Sequence, residues 1–140
     1  MIPAMATSDD HRLAAELAMR AGVLLLELRQ RLSAEGAPAA TLKDEGDRAA
    51  HDLLMDALAE ARPDDGVLSE EGSAHGVHPD RAGVSRVWIV DPLDGTSNFL
   101  HGIPHFAISI AVQEPKLGGG GWDDVSAAVI YNPVTDETFW

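Results

Sequence analysis

The sequence predicts an α+β fold in a single domain. Two helical segments with apolar faces open the chain and short apolar strand runs fill the rest. At 140 residues there is enough chain for one compact core and too little for two. The 45% apolar fraction is that of an ordinary globular protein, and no internal repeat is visible.

The first helix begins after Ser8, a good N-cap, with Asp9 and Asp10 in the first turn where the helix dipole favours anions. Leu13, Leu17, Ala21, Leu24, Leu28 and Leu32 recur at steps of three and four and form one apolar stripe. Arg29 and Arg31 sit near its end, as cations should. Small residues and a proline break the pattern from Gly36 to Ala40. A second helix is predicted from about Asp47 to Ala61, with Ala50, Leu53, Leu54, Ala57, Leu58 and Ala61 on one face. Asp52, Asp56 and Glu60 line the other face, Arg62-Pro63 ends the helix, and Asp64-Asp65-Gly66 is a turn.

Val67-Leu68-Ser69 is a short strand candidate leading into Glu70-Glu71-Gly72, and residues 73–85 have loop composition. Val87 to Val90 is a continuous apolar run, as in a fully buried strand, and it stops abruptly at Asp91-Pro92. Phe106 to Val112 and Val125 to Tyr131 are two more strands, joined by a loose hairpin through Gly118 to Gly121. Thr138-Phe139-Trp140 opens another.

Composition excludes several classes of function. Without cysteine there are no disulfides, thiolate zinc sites or cysteine nucleophiles. A net charge of -13 argues against a nucleic-acid partner and against an anionic membrane face. The N-terminus lacks the basic flank and apolar stretch of a signal peptide, and the longest apolar run, Val23 to Leu26, is far below a membrane span. The expected location is therefore cytoplasmic. An acidic chain that binds an anionic substrate needs cations to mediate the contact.

The segment from Trp88 to Thr96 offers such a place. A buried strand delivers Asp91 and Asp94 into a turn shaped by Pro92, which fixes its backbone, and Gly95, which lets a bare backbone approach a ligand. Thr96-Ser97-Asn98 then starts a helix whose free N–H groups suit an anion. Mg²⁺ is commonly held by one or two carboxylates together with substrate phosphate oxygens. A single aspartate here would read as a helix cap; two in a Pro-x-Asp-Gly-Thr frame after an apolar strand read as a site. Glu70-Glu71 occupies a parallel position after another short strand, and Asp47 alone is explained equally well as an N-cap.

Ser69-Glu70-Glu71-Gly72 followed by Trp88-Ile-Val-Asp-Pro-Leu-Asp-Gly-Thr-Ser-Asn-Phe99 closely resembles the inositol monophosphatase family of magnesium-dependent, lithium-sensitive phosphatases. The resemblance runs from the first helix to Trp140, including Gly102 to Ala111 and Val129 to Asp136. It implies a layered α/β sandwich of that type, of which residues 1–140 form the N-terminal metal-binding portion. It also implies that Glu70, Asp91 and Asp94 ligate Mg²⁺ by side chain and Leu93 by its carbonyl. Asp94, Gly95, Thr96 and Ser97 would then bind the substrate, with the phosphate on the Gly95 and Thr96 N–H groups. Thr96 and Asp47, helped by Glu70, would orient or activate the attacking water. The implied reaction is in-line hydrolysis of a small phosphorylated metabolite such as inositol 1-phosphate, with two or three Mg²⁺ ions. Homodimers are frequent in the family.

Two departures bear on substrate and completeness. Family members are considerably longer and carry a later Trp-Asp motif with a further metal ligand; Trp122-Asp123, before the Val125 strand, does not fit that role. The expectation is that the C-terminal part of the family domain is absent, which leaves an inactive fragment that only binds metal as one reading. Lys43-Asp-Glu-Gly-Asp47 resembles the branch that hydrolyses 3'-phosphoadenosine 5'-phosphate, a 3'(2'),5'-bisphosphate nucleotidase, whereas Asp94 to Pro104 resembles the monophosphatase branch. The second lies nearer the turn and is preferred. His75-x-x-His78 reads as a solvated loop, and His101 and His105 as packing or turn residues as readily as site residues.

Overall fold

The apolar stripe expected of the first helix is buried at Leu17, Ala21, Leu28 and Leu32, but Leu13 and Leu24 are only partly buried and Leu25 takes the core position beside Leu24. In a computed structural model, which describes residues 9–69, 86–114 and 124–140, helix α1 runs Asp9–Ala34 and buries Leu17, Ala21, Leu25, Leu28 and Leu32. Helix α2 runs Ala39–Ala61, eight residues ahead of the start that the sequence suggested. Pro38 precedes it in extended conformation, and Leu42 joins the core one turn in. Asp47 is therefore no N-cap but a buried residue within the helix.

Strand β1 is Gly66–Ser69, β2 Val87–Asp94, β3 Ala107–Glu114, β4 Asp124–Asn132 and β5 Glu137–Phe139, with a short helix α3, Thr96–Leu100, between β2 and β3. The strands form one sheet in chain order. β1 and β2 are parallel and the remaining pairs antiparallel. This is a mixed sheet with helices, an α+β arrangement as the sequence predicts. β2 runs on through Asp91-Pro92 to Asp94 rather than stopping there. The connection expected around the glycine run falls outside the described residues. Among the described residues no helix is long and apolar enough to cross a membrane.

Both long helices pack on one face of the sheet, α1 over β3 and β4, α2 over β1 and β2. Trp88 and Val90 of β2, Ile108, Ile110 and Val112 of β3, and Ala127, Val129 and Tyr131 of β4 meet them in one core. Gly22 marks the tightest approach: a Cβ there would lie 2.8 Å from Pro133 and 2.9 Å from the Tyr131 ring. The edge away from α3 is tied by charge. Asp10 of α1 accepts from Arg86 at 2.5 Å and Arg62 at 3.2 Å, while Asp65 accepts from Arg86 and from the Trp88 indole, each at 2.9 Å. Hydrogen bonding to Arg86 holds the Asp10 carboxyl below its usual range. This network fixes the start of α1, the end of α2 and the start of β2 to one another.

Tyr131, the sole tyrosine, gives the core a spectroscopic reporter. Burial, reinforced by its 2.7 Å hydrogen bond to Asp136, pushes its phenol up to about 12. Because the folded state favours the neutral phenol, this stabilisation is complete below the unfolded pKa of about 10 and is lost as pH rises toward 12. A phenolate absorbance titration at 295 nm is expected to show its midpoint near 12 in the folded protein and near 10 in denaturant. A folded midpoint near 10 contradicts the packing of this ring.

Candidate active site

Residues three apart on a regular strand point to opposite faces. Asp91 pairs with Ser109 and Asp94 with Ala107, so three residues of β2 span two of β3. The extra residue is a bulge, at Pro92-Leu93, where proline's missing N–H costs no ladder bond. Ser109 and Ala107 lie on one face of β3, so the bulge brings Asp91 and Asp94 onto that same face. It is the face turned away from α1 and α2. Asp91 accepts the Leu93 N–H at 3.3 Å, which holds the bulge in shape. Asp94 is exposed at its end.

Gly95 follows in left-handed conformation, φ 86°, as the N-cap of α3. Only glycine fits: a Cβ would lie 2.9 Å from the His105 carbonyl oxygen and 3.2 Å from the Phe106 Cα. The first intrahelical bond is Phe99 N–H to the Gly95 carbonyl, at 3.0 Å. The N–H groups ahead of it, from Thr96 to Asn98, have no acceptor within the helix. Thr96 donates its hydroxyl to the Leu93 carbonyl at a long 3.5 Å. Asn98 Nδ2 donates to the His105 carbonyl at 2.7 Å, closing the loop that returns to β3. Asp91, Leu93, Asp94, Gly95, Thr96 and Ser97 thus share one short, braced turn.

Asp47 lies on the helix that packs against α3, one residue beyond the point of contact. A Cβ on Gly46 would stand 3.1 Å from the Phe99 ring, so α2 lies directly against α3 and Asp47 follows in the next position. Lys43, one turn earlier, has its Nζ 4.0 Å from the Asp47 carboxylate and is itself mostly solvated. One turn later His51, also buried, has its Nδ1 2.9 Å from the Ser69 hydroxyl at the end of β1. Glu70 is the residue after Ser69, as Asp91 is the residue after Val90, the strand partner of Ser69. Glu70, His75, His78, Trp122 and Asp123 lie outside the described residues. His101 is a turn residue, its Nδ1 2.8 Å from the Ser97 carbonyl; His105 contributes its backbone.

Sequence reading missed three residues of this assembly: Gly46, His51 and Asn98 as a loop tie. His51 carried a usable signal, since it stands at i+4 from Asp47 on the Ala50, Leu54 and Leu58 side of α2. The contact of Gly46 with Phe99 spans 53 residues of chain and left no local signal.

The donors present suit a hard cation. Asp91, Asp94, Asp47 and the Leu93 carbonyl offer oxygen only, with no sulfur or imidazole among them. Among the described residues no three carboxylate or imidazole groups converge on one point, so a complete ligand set requires a further donor. Beside Asp91 the sheet face continues as an apolar hollow of about 480 Å³, lined by Leu68, Ile89, Ala111 and Ile130.

The model of the inositol monophosphatase family matches residues 8–140. The chain belongs to this family. An inositol-1-monophosphatase from Rhizobium meliloti (strain 1021) is 43% identical over 99 residues, covering 68% of this chain and 32% of that protein. A 3'-phosphoadenosine 5'-phosphate phosphatase from Mycobacterium leprae (strain TN) is 45% identical over 113 residues, 79% of this chain and 39% of the relative. Among solved structures, the extragenic suppressor protein suhB from Bartonella henselae superposes with a TM-score of 0.74 at 36% identity, covering 94% of this chain and 47% of that one. The chain therefore spans between a third and a half of the length of these relatives.

Proposed function

We propose that this chain carries the metal- and phosphate-binding turn of a Mg²⁺-dependent phosphomonoesterase that hydrolyses a small phosphorylated metabolite. The observation that carries this reading is the bulge, which sets Asp91 and Asp94 on one sheet face immediately before the left-handed Gly95 and the open N–H groups of α3. Cation ligands and anion donors then lie within six residues of each other. Asp91, Asp94 and the Leu93 carbonyl hold the cation, with Glu70 as the further donor that the described set requires. When bound, Mg²⁺ supplies charge neutralisation of the phosphoryl oxygens and lowers the pKa of water.

The chain's own groups do the rest. Backbone N–H groups of Gly95, Thr96 and Ser97 hold the phosphate without adding side-chain cations, in keeping with a net charge of -13. The Thr96 hydroxyl, bonded only weakly to Leu93, can turn to orient a water, and Asp47 can take its proton. The bridge between Gly46 and Phe99 keeps Asp47 beside the helix that carries Thr96.

Inositol 1-phosphate is the preferred substrate, since the residues resembling the monophosphatase branch surround the turn. Lys43 beside Asp47 supports a second reading, in which a 3'(2'),5'-bisphosphate is taken and the lysine meets its other phosphate. Phosphate release from inositol 1-phosphate and 3'-phosphoadenosine 5'-phosphate, with Mg²⁺ and after chelation, separates them. The expected result is Mg²⁺-dependent release that is faster on inositol 1-phosphate. Faster release from the bisphosphate selects the second reading, and release that persists without divalent metal refutes both.

A further inference from the structure

Arg29 of α1 has no carboxylate partner among the described residues, in a chain with 23 acidic and 10 basic side chains. Its Nη1 is buried without a hydrogen-bond partner among them, and burial lowers its hold on the proton. What it faces is aromatic. The guanidinium carbon lies 5.6 Å from the centroid of Phe99 and 5.2 Å from that of Phe106. Those two rings meet edge to face at 5.2 Å with planes 81° apart.

Both residues belong to the candidate phosphate-binding turn through their backbones. Phe99 gives the N–H that closes α3 onto the Gly95 carbonyl, and its ring rests against Gly46 next to Asp47. The Phe106 backbone forms the wall behind Gly95, with its Cα 3.2 Å from where a Cβ would be. A cation is attracted to the negative face of each ring, so it fixes their mutual tilt in a way an aliphatic group cannot.

We propose that Arg29 is a positioning residue: its guanidinium locks the Phe99–Phe106 pair and thereby orders the Gly95 and Thr96 N–H groups that receive the phosphate. The functional half of this inference rests on the phosphatase reading; the ordering half does not. The competing explanation is that the arginine stem merely fills space. Methionine separates the two, because it keeps the stem and discards the charge. If packing alone matters, Arg29→Met is neutral or stabilising, since it removes a buried N–H without an acceptor.

The test uses the whole chain as wild type, Arg29→Met and Arg29→Lys. Melting temperature, heteronuclear ¹⁵N NOE at the Gly95 and Thr96 amides, and the Kd for inorganic phosphate in Mg²⁺ are measured for each. In Arg29→Met the melting temperature is expected to stay level or rise, the NOE of both amides to fall, and the Kd to rise about tenfold. Arg29→Lys, which keeps a cation for the rings, recovers most of both losses. An Arg29→Met protein that is folded and shows wild-type NOE values at Gly95 and Thr96 overturns the inference, whatever its phosphate affinity. If the wild type itself binds no phosphate, the phosphatase reading falls and the NOE comparison still decides the role of Arg29. Should Arg29→Met fail to fold, Arg29→Gln, neutral and polar, repeats the comparison.

Discussion

Replacing Gly95 by alanine is expected to lower stability by about 3 kcal/mol or more and to abolish phosphate binding in any molecules that still fold. Two costs add. A non-glycine residue in the left-handed region carries about 1–3 kcal/mol of backbone strain, and Gly95 sits there at φ 86°. The new methyl group would also stand 2.9 Å from the His105 carbonyl oxygen, which Asn98 holds in place, so the loop must move outward. Overpacking of that kind costs about 1–3 kcal/mol more. The melting temperature should fall by roughly 10 °C. Gly102 is the internal control: its φ is 70°, yet nothing among the described residues lies within 4 Å of its Cβ position. Gly102→Ala should therefore cost only the strain, about 1 kcal/mol. Equal melting temperatures for the two variants would show that the wall behind Gly95 gives way, and would remove the case for a rigid cradle.

The legibility of this molecule follows the range of the interactions involved. α1 was legible because its stripe from Leu13 to Leu32 is a local, periodic pattern, and the observed burial of Leu17, Ala21, Leu28 and Leu32 follows it. β2 was legible as an apolar run but not in length, since Pro92 reads as a stop; the bulge that carries the strand past it depends on its pairing with β3. The start of α2 was placed eight residues late, beyond Gly46, a residue of low helix propensity. Its cost of about 1 kcal/mol within a helix is accepted because a side chain there would strike Phe99. The candidate site was legible as a motif from Asp91 to Ser97. That Asp91 and Asp94 share a face could not be read from it, because a spacing of three on a strand predicts opposite faces.

Asp91→Asn is expected to leave the metal-free protein as stable as the wild type, or more so, while removing its response to Mg²⁺. The amide keeps the shape of the carboxylate and an oxygen to accept the Leu93 N–H, so the bulge survives. What it loses is charge. Two carboxylates turned to one face repel each other until a cation compensates them, so neutralising one relieves the empty state and weakens the occupied one. A ligand at about 100 times its Kd stabilises the form that binds it by about 2.7 kcal/mol, which for a chain of this size raises the melting temperature by roughly 10 °C. Thermal unfolding with and without Mg²⁺, against KCl at matched ionic strength to exclude screening, is expected to show that rise in the wild type and none in Asp91→Asn. Asp94→Asn should behave likewise, with loss of phosphate release of at least about 100-fold, since even residues that only support a metal ligand cost 10–100-fold. If Asp91 instead serves only to brace the bulge, Asp91→Asn melts with the wild type and Mg²⁺ moves neither curve.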